Sequence, residues 1–178
     1  MLAATRAGAE GAIAALYREF HPKLLRYLRA QEPFEGEDLA AEAWLDAARG
    51  LDRFDGDERA FQRWIFTIAR RRLIDFRRRR SHSADALGAL RELAEQPDVE
   101  GAAGPVLAAS ETDAALARIG SLPPDQADVV LLRVVAGLEV ADVARILGKK
   151  AGTVRVLQHR ALHRLAEQFA REGRVVTR

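Results

Sequence analysis

Apolar residues recur along the chain at intervals of three and four. Ile13, Leu16, Tyr17, Phe20, Leu24, Leu25 and Leu28 form the first such series, which predicts one amphipathic helix over about 9–30. Pro22 falls inside it and predicts a kink. Gly36 and Asp38 precede a second series, Leu39, Ala43, Trp44, Leu45 and Ala48, which stops at Gly50. A third runs from about 59 to 80 with Phe61, Trp64, Ile65, Ile68, Leu73 and Phe76. The pattern resumes after 110 with Ala115, Leu116 and Ile119, breaks at Leu122-Pro123-Pro124, and continues through Val129, Val130, Leu132 and Val135 to Gly137. VADVARILG (140–148) and GKKAGTVRVLQHRALHRL (148–165) close the series. No long segment alternates with period two, so the fold class is all-α.

Between the two helical halves, residues 81–110 change character. The stretch is acidic and aromatic-free, and Gly88, Pro97, Gly101 and Gly104-Pro105 punctuate it. It reads as a linker with room for a short helix near 85–95; an ordered surface connection is the rival. The chain therefore divides into a helical domain at 9–80, a linker at 81–110 and a second helical domain at 111–172.

Charge sharpens that division. Of the total of +2, residues 1–80 contribute +3, residues 81–117 contribute −6 and residues 118–178 contribute +5. Two basic ends around an acidic middle suggest a polyanion held at both ends. Among the 28 basic residues only Lys23, Lys149 and Lys150 are lysine. An arginine excess suits phosphate and guanine recognition; a GC-rich genome produces the same excess. With no cysteine among the 178 residues, disulfides, thiolate metal sites and cysteine nucleophiles are excluded. No signal-peptide pattern opens the sequence, and no apolar run approaches the roughly 18 residues of a membrane span. The expectation is a cytoplasmic protein without membrane insertion of its own.

Residues 140–157 read as helix, tight turn, helix. Ala144 is small where two helices would touch, and Gly148 stands where the chain must turn sharply. Val143, Leu147, Val154 and Leu157 supply the contact between them. Lys149 occupies a turn position where an apolar residue is more usual, and Thr153 is placed to cap the second helix. On a helical wheel Val154, Leu157, Ala161, Leu165 and Phe169 cluster on one side, with Gln158 and Leu162 on its flank. Arg155, Val156, His159, Arg160 and His163 project from the other. One face for the core and one for base edges and phosphates is the division a DNA-reading helix needs; the plain alternative is a solvated basic face. His159 and His163 have metal-ligand spacing, but Arg160 replaces the glutamate of the zinc-protease pattern and no third ligand lies near in sequence. No metal or other cofactor is expected, and with four histidines and no phosphate loop no enzyme constellation emerges.

The first half carries two different polar faces. AFQRWIFTIARRRLIDFRRRR (60–80) sets Arg70, Arg71, Arg72 and Arg77 to Arg80 against one acid, Asp75, and interleaves Phe61, Trp64, Phe66 and Phe76. Arginines track phosphates and exposed aromatics stack on unpaired bases, which suggests melted DNA; any single aromatic is otherwise a core residue. The 37–54 helix is acidic, with Glu37, Asp38, Glu42 and Asp46. Beside a DNA-binding helix such a face either meets a protein or is merely solvated.

With these segments in view, the chain resembles the extracytoplasmic-function (group IV) sigma factors of bacterial RNA polymerase. LYREFHPKLLRYL, EDLAAEAWLDAARGLDRF and FQRWIFTIARRRLIDFRRR resemble the helices of sigma region 2. LPPDQADVVLLRVVAGLEVADVARILGKKAGTVRVLQHRALHRL resembles the helix-turn-helix of region 4. The resemblance implies a factor that gives core polymerase its promoter recognition and helps melt the −10 element. It implies that Asp38, Leu39, Glu42, Leu45, Asp46 and Arg49 meet the clamp helices of the largest polymerase subunit. It implies −10 contacts at Phe54, Phe61, Trp64, Arg70, Arg71, Arg72 and Asp75. Region 4 would dock on the flap of the second-largest subunit and read the −35 element through Lys149, Lys150, Thr153, Arg155, Val156, His159, Arg160 and His163. An anti-sigma factor is the regulator implied. The sequence departs from the family pattern at Ala41, at Arg71 and at Val156-Leu157, and the last two bear on promoter choice. The rival expectation is a stand-alone helix-turn-helix regulator with an unrelated protein-binding first half.

Overall fold

The computed structural model describes residues 10–94 and 111–175. The described residues form α1 (Glu10–Arg29), α2 (Gly36–Gly50), a 3₁₀ turn (Leu51–Arg53), α3 (Glu58–Ala94), α4 (Glu111–Gly120), α5 (Pro124–Val134), α6 (Val140–Leu147) and α7 (Ala151–Val175). They contain no strand. None of the described helices is long and apolar enough to cross a membrane.

Helix α1 buries Leu16, Phe20, Leu24 and Leu28 of its apolar series together with Tyr27, while Ile13 and Tyr17 of the same series are exposed. It passes through Pro22 without a break. Pro22 and Arg18, whose carbonyl lies four residues before it, are both exposed, so water satisfies what the ring disrupts. Helix α2 presents Ala40, Ala43 and Ala47 inward. These small side chains bring it close to α3, whose Phe61, Ile65, Phe66, Ala69 and Leu73 complete the bundle. Gly50 ends α2 where a β-carbon would meet the Trp64 indole at 2.8 Å. The Asp57 carboxylate accepts the Ala60 N–H at 2.7 Å and caps the start of α3.

Helix α3 is longer than the sequence pattern suggested. It continues without interruption through 81–94, where a linker with a separate short helix was expected. ADALGALRELA is rich in strong helix formers, and its one glycine costs only about 1 kcal/mol. Residues 95–110, the rest of the expected linker, lie outside the described residues, as does the start of the first domain at residue 9.

In the second half, Pro124 starts α5 at a position that needs no N–H donor. Gly148 ends α6 in the left-handed conformation (φ 62°), and the Lys149 N–H reaches back to the Ala144 carbonyl at 2.9 Å. This closure satisfies the last carbonyls of α6 within two residues. Helix α7 consequently begins at Ala151, ahead of the start expected at Thr153, which lies exposed inside the first turn with no cap bond. Val143, Leu147 and Val154 pack between α6 and α7. Leu122, Ala127, Val130, Ala161 and Leu165 form a small separate core. The larger core is continuous across both halves, from Leu16 on α1 to Val154 on α7.

Candidate nucleic-acid interface

The turn after α6 aims one face of α7 outward. Arg155, Val156, His159, Arg160 and His163 are all exposed on it, while Val154, Ala161 and Leu165 are buried beneath. Val156 is half exposed, an apolar spot amid cations. Gln158 is half-buried, on the flank where the wheel placed it; Leu162, assigned to the same flank, is exposed instead. Phe169 is also half exposed, with the Arg118 guanidinium 4.8 Å above its ring. His163 Nδ1 lies 3.4 Å from the Glu167 carboxylate one turn on. Lys150 and Thr153 are exposed at the start of the helix. Lys149 differs from the rest of the face: its ammonium sits 2.9 Å from the Asp125 carboxylate. The unusual cation in the turn thus has a partner on α5.

On α3 the expected contact residues separate into three groups. Phe54 and Trp64 are half-buried and stacked, with ring centroids 4.9 Å apart, at the rim of the bundle. Phe61 lies beneath them, 1% exposed, in contact with Phe20, Phe54 and Trp64. In this conformation Phe61 supports the aromatic rim and presents no surface to a base. Arg71 is 84% exposed, with the Asp75 carboxylate 3.9 Å away. Arg70 and Arg72, by contrast, are held by carboxylates of other helices. Arg72 Nε donates to Asp46 at 2.7 Å, and Glu42 lies 3.5 Å from the same guanidinium. The bond to Asp46 raises the already high pKa of Arg72, so this residue stays a cation fixed to α2.

Asp38, Leu45 and Arg49 of α2 are exposed along one stripe, with Glu42 and Asp46 half-buried beside it. Leu39 departs from the set, at 2% exposed within the core. A groove of about 620 Å³ adjoins the stripe, between α1 and α2, lined by Tyr17, His21, Leu25, Ala41 and Trp44 with Glu37 and Asp38 at its edge.

Between the halves lie ion pairs that the sequence reading missed, although it named Arg70 itself as a −10 contact. Arg59 Nε donates to Asp142 at 2.9 Å and its Nη2 lies 2.6 Å from Glu139. Hydrogen bonds to Glu139 and Asp142 raise the Arg59 pKa further. Arg63 lies 3.4 Å from Asp142. Arg70 Nε donates to Asp128 at 2.8 Å. Asp128 also accepts from the Tyr27 hydroxyl at 2.7 Å and from the Gln31 amide at 3.2 Å. Burial first, and the neighbouring Asp128 charge second, push the Tyr27 phenol well above its ordinary pKa. Farther along α3, Arg77 and Arg80 both bind the buried Glu32 at 2.7 Å.

Two family models match the chain: Sigma-70 region 2 over residues 16–83 and Sigma-70, region 4 over residues 112–165. The ECF RNA polymerase sigma factor BldN of Streptomyces coelicolor is 32% identical over 173 residues, covering 95% of this chain and 64% of that protein. The ECF RNA polymerase sigma factor ShbA of Streptomyces griseus is 34% identical over 161 residues, covering 84% of this chain and 83% of that protein. Among solved structures, sigma factor RpoE in complex with the anti-sigma factor NepR from Bartonella quintana shares the fold, with a TM-score of 0.64 at 22% identity. That match covers 86% of this chain and 95% of that one.

Proposed function

Because the chain belongs to the extracytoplasmic-function group of the sigma-70 family, we propose that it confers promoter recognition on core RNA polymerase and helps to open the −10 element. The observation that carries this reading is the pairing, in one chain, of an outward basic face on the second helix of a helix-turn-helix with an aromatic and arginine rim on α3. The first reads duplex; the second suits unpaired bases.

The domains are region 2 over 9–80 and region 4 over 111–172, with α3 extending into the connection. Region 4 docks on the flap of the second-largest subunit and reads the −35 element through Arg155, Val156, His159, Arg160 and His163, flanked by Lys150 and Thr153 on the phosphates. Phe54 and Trp64 hold an unstacked −10 base, for which the pocket must offset a few kcal/mol of unstacking. Arg71 meets the adjoining backbone. The α2 stripe of Asp38, Glu42, Leu45, Asp46 and Arg49 binds the clamp helices of the largest subunit, and Leu39 supports it from the core. The protein acts in the cytoplasm, is not an enzyme, and is restrained by an anti-sigma factor.

Purified protein added to sigma-free core polymerase, followed by sequencing of transcript 5′ ends across the genome, tests the reading. New start sites sharing −10 and −35 sequences are the expected result. A footprint by the protein alone, with no new start sites in the presence of core, overturns it in favour of a stand-alone regulator.

A further inference from the structure

The turn between α6 and α7 is two residues long, Lys149 and Lys150, once Gly148 has ended α6. Its two lysines stand in different conditions. Lys150 is exposed. The Lys149 side chain is only 28% exposed, and its ammonium lies 2.9 Å from the Asp125 carboxylate. The Lys149 backbone is held as well, by the bond from its N–H to the Ala144 carbonyl at 2.9 Å. Backbone and side chain of one residue thus tie the turn to α6 and to α5. Asp125 stands in the first turn of α5, where the helix dipole favours a carboxylate. The other cation near it is Arg70, 4.0 Å away and already donating to Asp128 at 2.8 Å.

Helix α7 rests on its own domain at three levels. Ala161 and Leu165 pack on Ala127 and Val130 of α5. Val154 packs among the residues of α6. Ahead of the helix, the Lys149–Asp125 pair fastens the turn to the start of α5. The outward residues Arg155, Val156, His159 and Arg160 lie along the chain between the ionic and the lower apolar support. Hydrogen bonds to base edges hold only within a few tenths of an ångström of their best length. A displacement of about 1 Å at the start of α7 therefore loses them while the apolar support stays intact.

We infer that Lys149 is a positioning residue for the recognition helix: its ion pair with Asp125 replaces the apolar contact more usual at this turn and sets the pitch at which α7 meets a major groove. Its ammonium is spent inside the domain and does not bind phosphate. The effect on −35 reading deepens the proposed promoter function and rests on it; the anchoring of the turn does not.

A double-mutant cycle of Lys149→Gln, Asp125→Asn and both together tests this, because the cycle cancels what either change does to a third group such as Arg70. Circular dichroism verifies folding of each full-length variant. Amide hydrogen exchange over residues 148–154 reports the anchoring. The DNA probe is a pool of short duplexes of random sequence, bound by the full chain together with core polymerase and then sequenced. The expected result is faster exchange in either single variant and a preference for the best −35 sequences that falls by roughly two- to fivefold, the range of a partly exposed ion pair. The double variant is expected to be no worse than either single one, and the salt dependence of binding to stay as it was. Asp125→Asn separates the readings most sharply, since removing an anion improves or spares a phosphate contact and harms only a brace. Equal losses on all sequences for Lys149→Gln, with a salt slope shallower by about 1 and Asp125→Asn without effect, reassign Lys149 to a phosphate. Unchanged exchange in both single variants overturns the anchor, and additive losses overturn the pairing. A wild-type protein that selects no sequence in the presence of core defeats the promoter reading instead, and faster exchange in the variants then leaves the anchor standing.

Discussion

The α7 face and the α3 face are both rich in arginine, yet they stand in opposite conditions. On α7, Arg155, Arg160 and the two histidines point into solvent. On α3, Arg59, Arg63, Arg70, Arg72, Arg77 and Arg80 each face a carboxylate of another element. Counting cations along the sequence gives the two faces equal standing. Among the described residues no carboxylate of another element meets Arg155, Arg160 or the two histidines, whereas the α3 cations have to exchange partners before they meet a polyanion. Exchange is affordable for an exposed pair, whose net worth is about 0–1 kcal/mol. For Arg70 on the buried Asp128 it requires that the carboxylate be returned to water, which separates the halves.

The comparison can be broken hardest at its aromatic rim. Phe61→Ala removes a core ring and should cost about 3–5 kcal/mol of stability, measured by urea denaturation; a loss confined to DNA binding would place Phe61 at the surface after all. Leu39→Ala should cost about 2–5 kcal/mol in the same assay. Leu45→Ala, six residues on and exposed, should leave stability within about 0.5 kcal/mol and weaken binding to core polymerase instead. Next comes Arg160→Ala on α7. If it makes a bidentate base contact, promoter affinity falls by roughly 1–3 kcal/mol with relaxed preference at one −35 position. Equal losses on all promoter sequences would reassign it to a phosphate.

Charge reversal at Asp38 should weaken the complex with core polymerase and leave −35 duplex binding unchanged; unaltered core affinity would defeat the clamp assignment. The smallest effect is a pH dependence. The Tyr27 pKa is raised in the fold, so its contribution is complete below the ordinary phenol value near 10 and declines as pH rises above it. Thermal melting across that range should show a downturn that Tyr27→Phe lacks.

Much of this was legible in the chain itself. The spacing of Leu16, Phe20, Leu24 and Leu28 located α1 and its buried side, because a helix core is a local pattern. Ala144 and Gly148 located the helix-turn-helix for the same reason, and Gly148 does adopt the left-handed turn. The wheel on 154–169 separated its buried and outward residues, apart from Leu162 and Phe169, which are both half exposed. Three things were not legible. The reach of α3 past residue 80 depends on Ala and Leu outweighing Gly88, which punctuation alone does not weigh. The burial of Phe61 beneath Phe54 and Trp64 is a three-dimensional layering that a list of aromatics cannot order. The partners of Arg59 and Arg70 lie 83 and 58 residues away, and nothing in local sequence records such a pairing.

Gly120, at the end of α4, gives the contact between the halves a second handle of a different kind, since a β-carbon there would approach the Ala30 carbonyl to 1.7 Å. The ionic contacts respond to the medium, since dissolved salt screens the charges exposed when the halves part. The close approach at Gly120 responds only to volume. A series of substitutions there, graded from alanine upward, would strain that contact step by step as a dial does, leaving every charge as it was.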